Sequence, residues 1–99
     1  MSNEPWALVG LLAAVRFTVT ADASPGLLPR LLQPFAKRDL TPDLFEARAT
    51  TTGMRVDIAM EAMPAEMVHL VRGNLGQVIG VTAVTCRQEI TGQVSRRAA

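Results

Sequence analysis

The chain has no tyrosine, one tryptophan and three phenylalanines in 99 residues, and only one cysteine and one histidine. A lone Cys86 cannot close an intramolecular disulfide, and no zinc-type spacing surrounds it, so a reducing cytoplasm is the simplest compartment. With His69 as the only histidine, a nucleophile triad would have to gather on one residue flanked by Val68 and Leu70; a helix-surface histidine is the plainer reading. Nor is there a G-x-G-x-x-G or Walker sequence to hold a nucleotide. The scarcity of aromatics on strands, Phe17 and Phe45 alone, excludes the base-stacking sheet of RNA-binding domains.

Charge of either sign is not in excess. Ten Lys and Arg stand against nine Asp and Glu, a formal +1, which gives no electrostatic footprint for nucleic acid or an anionic membrane. The longest apolar run, "WALVGLLAAV" at 6–15, is about half of what a bilayer span requires. Only Glu4 precedes it, where a secretory leader would carry basic residues. The sequence thus predicts a cytoplasmic protein with neither nucleic acid nor membrane as partner.

What the chain does have is apolar content: 48% hydrophobic residues and a mean hydropathy of +0.21. A domain of this size leaves about a third of its unfolded surface exposed, so the excess predicts an interface with a second copy or another protein. One domain is the natural count.

Hydrophobic periodicity gives six elements. Val15, Phe17 and Val19 alternate with Arg16, Thr18 and Thr20 as a half-buried strand. After a turn at Asp22 to Gly26, Leu27, Leu28, Leu31, Leu32 and Phe35 fall on helical spacing, predicting a helix over 26–38 with a kink at Pro34. Thr41-Pro42-Asp43 breaks the chain before a strand over 44–51 with Glu46 and Arg48 outward, and Gly53 marks a hairpin-like turn. Met54, Val56, Ile58 and Met60 then alternate with Arg55, Asp57 and Glu61. A second helix opens at Pro64, carries Met67, Leu70, Val71 and Leu75, and is expected to close on Gly76 as a left-handed cap. A last strand spans about 78–86, and "QEITGQVSRRAA" loses its periodicity.

Strand, helix, strand, strand, helix, strand is the pattern of an α+β, ferredoxin-like βαββαβ sandwich: a four-stranded antiparallel sheet with two helices on one face. The expected organisation is an apolar extension at 1–13, the domain at 14–88 and a polar tail at 89–99. Trp6 reads as an interface anchor or a tail residue. Arg96-Arg97 reads as a solvated tail, and Met54, Met60, Met63 and Met67 as core or dimer packing. Cys86 reads as a small buried hydrophobe. The turn at 22–27 admits two readings: a small anionic ligand, since Gly26 opens a helix whose N–H groups could receive a carboxylate and Leu27 could offer an apolar wall, or a plain turn, which suffices without one.

"RFTVTADASPGLLPRLLQPFAKRDLTPDLFEA", "MRVDIAM" and "LGQVIGVTAV", within residues 15–86, resemble an ACT domain, and specifically the small regulatory subunit of acetolactate (acetohydroxyacid) synthase. The resemblance implies a side-by-side homodimer that binds amino-acid effectors near the first turn. It further implies a non-catalytic subunit that activates the large subunit in branched-chain amino-acid synthesis, with valine, leucine or isoleucine as possible effectors. No cofactor is implied on this chain; thiamin diphosphate, magnesium and FAD would sit on the large subunit. The effector turn maps to Asp22, Ala23, Ser24, Gly26 and Leu27. Family members often carry Asn or Asp where Ala23 stands; alanine has no acceptor for an amino group, and Asp22 is one position early, which counts against feedback sensing. Asp39 replaces the glycine usual after the first helix. The short, single-domain members, which resemble activators more than complete sensors, are the nearer comparison. The alternative is a free-standing amino-acid-binding ACT module regulating another protein.

Overall fold

The computed structural model describes residues 9–93. Trp6 and Arg96-Arg97 lie outside them. In chain order the elements are β1 (Leu11–Ala21), α1 (Leu27–Ala36), β2 (Leu44–Ala49), β3 (Met54–Pro64), a single 3-10 turn at Ala65–Met67, α2 (Val68–Gly76) and β4 (Val81–Gln93). The strands form one antiparallel sheet in the order β2-β3-β1-β4, the ferredoxin-like arrangement expected from the element pattern.

Alternation decides which face is covered. Ala13, Val15, Phe17, Val19 and Ala21 of β1, with Val56, Ile58 and Met60 of β3, turn to the helices and are buried there with Leu27, Leu31, Phe35, Val68, Val71 and Leu75. No polar or charged residue is buried among the described residues. Phe17 and Phe35 meet edge to face at 5.8 Å and 74°, fixing α1 over the middle of β1. Met60 and Met63 are core residues, and Met54 and Met67 pack against the same core, as their spacing predicts. His69 is exposed on α2.

Strand lengths differ from expectation. β1 reaches back to Leu11 and β4 runs out to Gln93, paired from Ala21↔Val81 to Leu11↔Gln93. The sheet thereby takes in residues 11–13, assigned above to the extension, and residues 89–93, assigned to the tail. Backbone pairing needs no apolar side chain, and those of β4 beyond Cys86 are exposed, so hydrophobic periodicity could not mark this stretch. Pro64 ends β3 instead of opening a helix, and α2 starts four residues later.

The ends of the helices also depart from simple rules. α1 ends at Ala36, two residues past Pro34, whose missing N–H leaves the Arg30 carbonyl without its helical bond. Arg38 donates through Nη1 to the Pro34 carbonyl at 3.1 Å. Asp39 then takes a left-handed φ of 57°, with Asp39 N–H donating to the Ala36 carbonyl and Leu40 N–H to the Phe35 carbonyl. These are the two bonds of a Schellman cap, built on an aspartate. Gly76 is not left-handed; it is the last residue of α2, and the left-handed glycine of that connection is Gly80, φ 98°.

Candidate functional site

The turn at 22–27 lies at the end of β1 that meets two other connections. Asp22 N–H donates to the Gly80 carbonyl at 2.9 Å, tying the turn to the α2–β4 connection. On the other side, the β2–β3 turn closes with Thr50 N–H on the Gly53 carbonyl at 2.9 Å, and Gly53 lies so near the Ala21 carbonyl that a Cβ would collide with it. Gly53 is therefore the glycine of close backbone approach at this end. The sequence marked it only as a turn.

Asp22, Ala23 and Ser24 are exposed, Gly26 is half-buried and Leu27 is fully buried. The apolar wall expected of Leu27 is thus turned into the core. No side chain caps α1: Ser24 contributes its carbonyl, which accepts the Leu27 N–H at 3.1 Å, and the first turn holds no acidic residue. What occupies the space left by Gly26 is the chain's own Arg30, since a Cβ there would stand 3.0 Å from the guanidinium carbon. The guanidinium thus adds its positive charge to the positive end of the helix.

The second place where functional groups gather is the uncovered face of the sheet. Arg16, Thr18 and Thr20 of β1, Arg55, Asp57 and Glu61 of β3, and Thr85 and Arg87 of β4 all point there. Thr18 Oγ1 donates to Asp57 Oδ1 at 2.9 Å, and Arg55 Nε pairs with Asp57 Oδ2 at 3.3 Å. Burial pushes the Asp57 carboxyl up, but the Thr18 and Arg55 hydrogen bonds and the charges of Arg55 and Arg16 outweigh it, so the carboxyl sits below its ordinary value. Shallow hollows run over this face, one between the Arg16–Arg87 and Glu61–Glu89 side chains over Ala14 and Ala59. Alternation placed most of these residues outward in the sequence, but only the register shows which of them stand opposite one another.

Cys86 is on the helix side, opposite Phe17. Burial pushes its thiol above the ordinary value, against a smaller opposing effect of Arg72, so it is a packing residue and not a nucleophile at neutral pH. Among the described residues, no group of three or more His, Cys, Asp or Glu could hold a metal ion, and no helix is long and apolar enough to cross a membrane.

No curated protein matches the chain. Among solved structures it is similar to an uncharacterized protein from Thermotoga maritima, with a TM-score of 0.58 and 11% identity over 80% of this chain and 96% of that one. At that identity the likeness is one of fold. A family model described as an ACT-like domain matches residues 11–92, the span from the first residue of β1 to the penultimate residue of β4. The chain therefore belongs to the ACT-like domain family.

Proposed function

We propose that this chain is a small non-catalytic regulatory module that acts by binding a larger enzyme, with the catalytic subunit of acetolactate synthase as that enzyme. The observation that carries the reading is the ACT-like assignment across the whole sheet, residues 11–92. In support, β4, an outer strand of 13 residues, keeps its outward edge unpaired within the described fold and is available to a second copy or a partner. The thiamin diphosphate, magnesium and FAD chemistry belongs to the partner. This chain contributes binding free energy that is larger for the partner's active arrangement than for its inactive one, and activation equals that difference.

A second reading is favoured by the uncapped start of α1, with Arg30 over Gly26 and exposed Asp22 in the turn that precedes it. A cationic corner next to a carboxylate suits the two charged ends of an α-amino acid, so the same module could act as a sensor at Asp22, Ala23, Ser24 and Gly26. Acetolactate formation by the large subunit, titrated with this chain without and with valine, tests both. A saturable rise in rate supports the activator, and its reversal by valine adds sensing. No rise, together with calorimetric binding of valine to the chain alone, leaves the free-standing sensor.

A further inference from the structure

The open face of the sheet carries its charges in rows. Arg16 stands directly opposite Arg87, Glu46 opposite Asp57, and Arg48 opposite Arg55. Like charges opposed across neighbouring strands destabilise a solvated sheet, where opposite charges would stabilise it. Among the described residues the face has one ion pair, Arg55 with Asp57, so most of these charges find no complement within the fold.

Their order along the strands is regular. Glu61, in the β3 bulge near Ala14, and Glu89 begin the series, Arg16 and Arg87 come next, Glu46 and Asp57 follow, and Arg48 and Arg55 end it. Successive rows are two residues apart, about 7 Å. The signs run acidic, basic, acidic, basic. The remaining positions in these rows are Ala14, Ala59, Leu44, Thr18, Thr85, Thr20 and Ala83, all short except Leu44 at the β2 edge.

We propose that this face is a self-complementary docking surface on which a second copy of the chain stacks with its strands running the opposite way. Reversal inverts the order of rows, so each acidic row faces a basic one; with like strands superposed the charges coincide at Glu61 and Arg55, and the others are offset by a strand or more. With β3 lying over β3, Glu61 meets Arg55 of the second copy, and Arg55 meets its Glu61. Arg16 settles over the short Thr18 of the second copy, beside Asp57. Stacking with parallel strands would set each row against its own sign, and a uniformly charged polymer would meet two repelling rows. The alternation selects the antiparallel copy.

Four strands about 4.8 Å apart and four rows about 7 Å apart give a footprint on the order of 500 Å². That is below the ~800 Å² per partner of a standard stable interface, so the contact is weak, reversible and sensitive to salt. It uses neither sheet edge, and it coexists with edge-to-edge pairing by converting an edge dimer into a tetramer. It stands independently of the acetolactate synthase reading.

Sedimentation equilibrium of the purified full chain tests the surface, at low ionic strength and again in 1 M salt, for wild type, E61R, R55E and an equimolar mixture of the two variants. Both sites are exposed, and a melting curve of each variant serves as the control that it folds. Wild type is expected to show an association step that salt abolishes. Each variant alone sets like charges in both symmetry-related contacts and weakens that step by about tenfold. In the mixture a Glu61→Arg chain meets a Arg55→Glu chain with both contacts restored, and association returns. An association step that either variant leaves unchanged, a mixture that does not recover, or a chain with no salt-sensitive step would each overturn the proposal.

Discussion

Replacing Gly53 by alanine should destabilise the protein far more than its place in a turn implies. Its φ is not left-handed, so alanine is conformationally allowed. The difficulty is space: the added Cβ would penetrate the Ala21 carbonyl, a backbone atom at the buried end of β1, and no side-chain rotamer can relieve the clash. Either β1 or the β2–β3 turn must move, and overpacking of this kind costs about 1–3 kcal/mol. For a domain of this size each kcal/mol lowers the melting temperature by ~4–8 °C, so G53A should melt ~5–20 °C below wild type. Gly73 supplies the control. It sits inside α2 with nothing within 4 Å of a built Cβ, so G73A should gain about 0.5–1 kcal/mol from helix propensity and melt a few degrees higher. The two glycine-to-alanine changes are chemically identical and differ only in surroundings. Thermal melts followed by circular dichroism check them, and a G53A curve superimposing on wild type would refute the close-approach account of the 22–27 corner.

Asp39→Gly should stabilise by about 1 kcal/mol in a urea titration, because aspartate is strained at φ 57° and the Schellman bonds of Asp39 and Leu40 are made by the backbone alone. Cys86 should react with iodoacetamide at pH 8 more slowly in the folded protein than in urea, since burial raises the folded thiol above its ordinary 9.0 and leaves less thiolate; equal rates would contradict that burial. Asp57→Asn should be less stable than wild type at neutral pH. The Asp57 carboxyl is lowered on folding, so its contribution is present above its ordinary 3.8 and is lost as pH falls through the folded value; the gap between the two proteins should close below pH 3.8, measured by urea unfolding across that range.

The interior was legible because apolar periodicity and burial are the same fact seen twice. Val15, Phe17 and Val19, then Val56, Ile58 and Met60, alternate in sequence and are buried in the fold. The helix pattern of Leu27, Leu31 and Phe35 likewise became the underside of α1. What the pattern could not carry was backbone geometry. Residues 89–93 join the sheet through N–H and carbonyl groups that every residue possesses, and their exposed side chains gave no sign of it. The left-handed positions went astray for a related reason: glycine identity alone does not distinguish Gly76, which continues a helix, from Gly80, which turns the chain.

The candidate site was half legible by the same logic. Gly26 was identified for its missing side chain, but whether a ligand or the chain itself fills the space depends on a residue four positions on, and Arg30 takes it. An arginine placed there has two consequences of opposite sign. It sets a positive charge against the positive end of α1, which raises the energy of the empty corner. It also gives any arriving carboxylate a guanidinium as well as helix N–H groups. On the sensor reading, Arg30→Ala is expected to stabilise the free chain while weakening its hold on an amino acid's carboxylate, and Arg30→Glu to abolish it. If calorimetry with valine found R30A binding as tightly as wild type, the corner would have no part in amino-acid recognition.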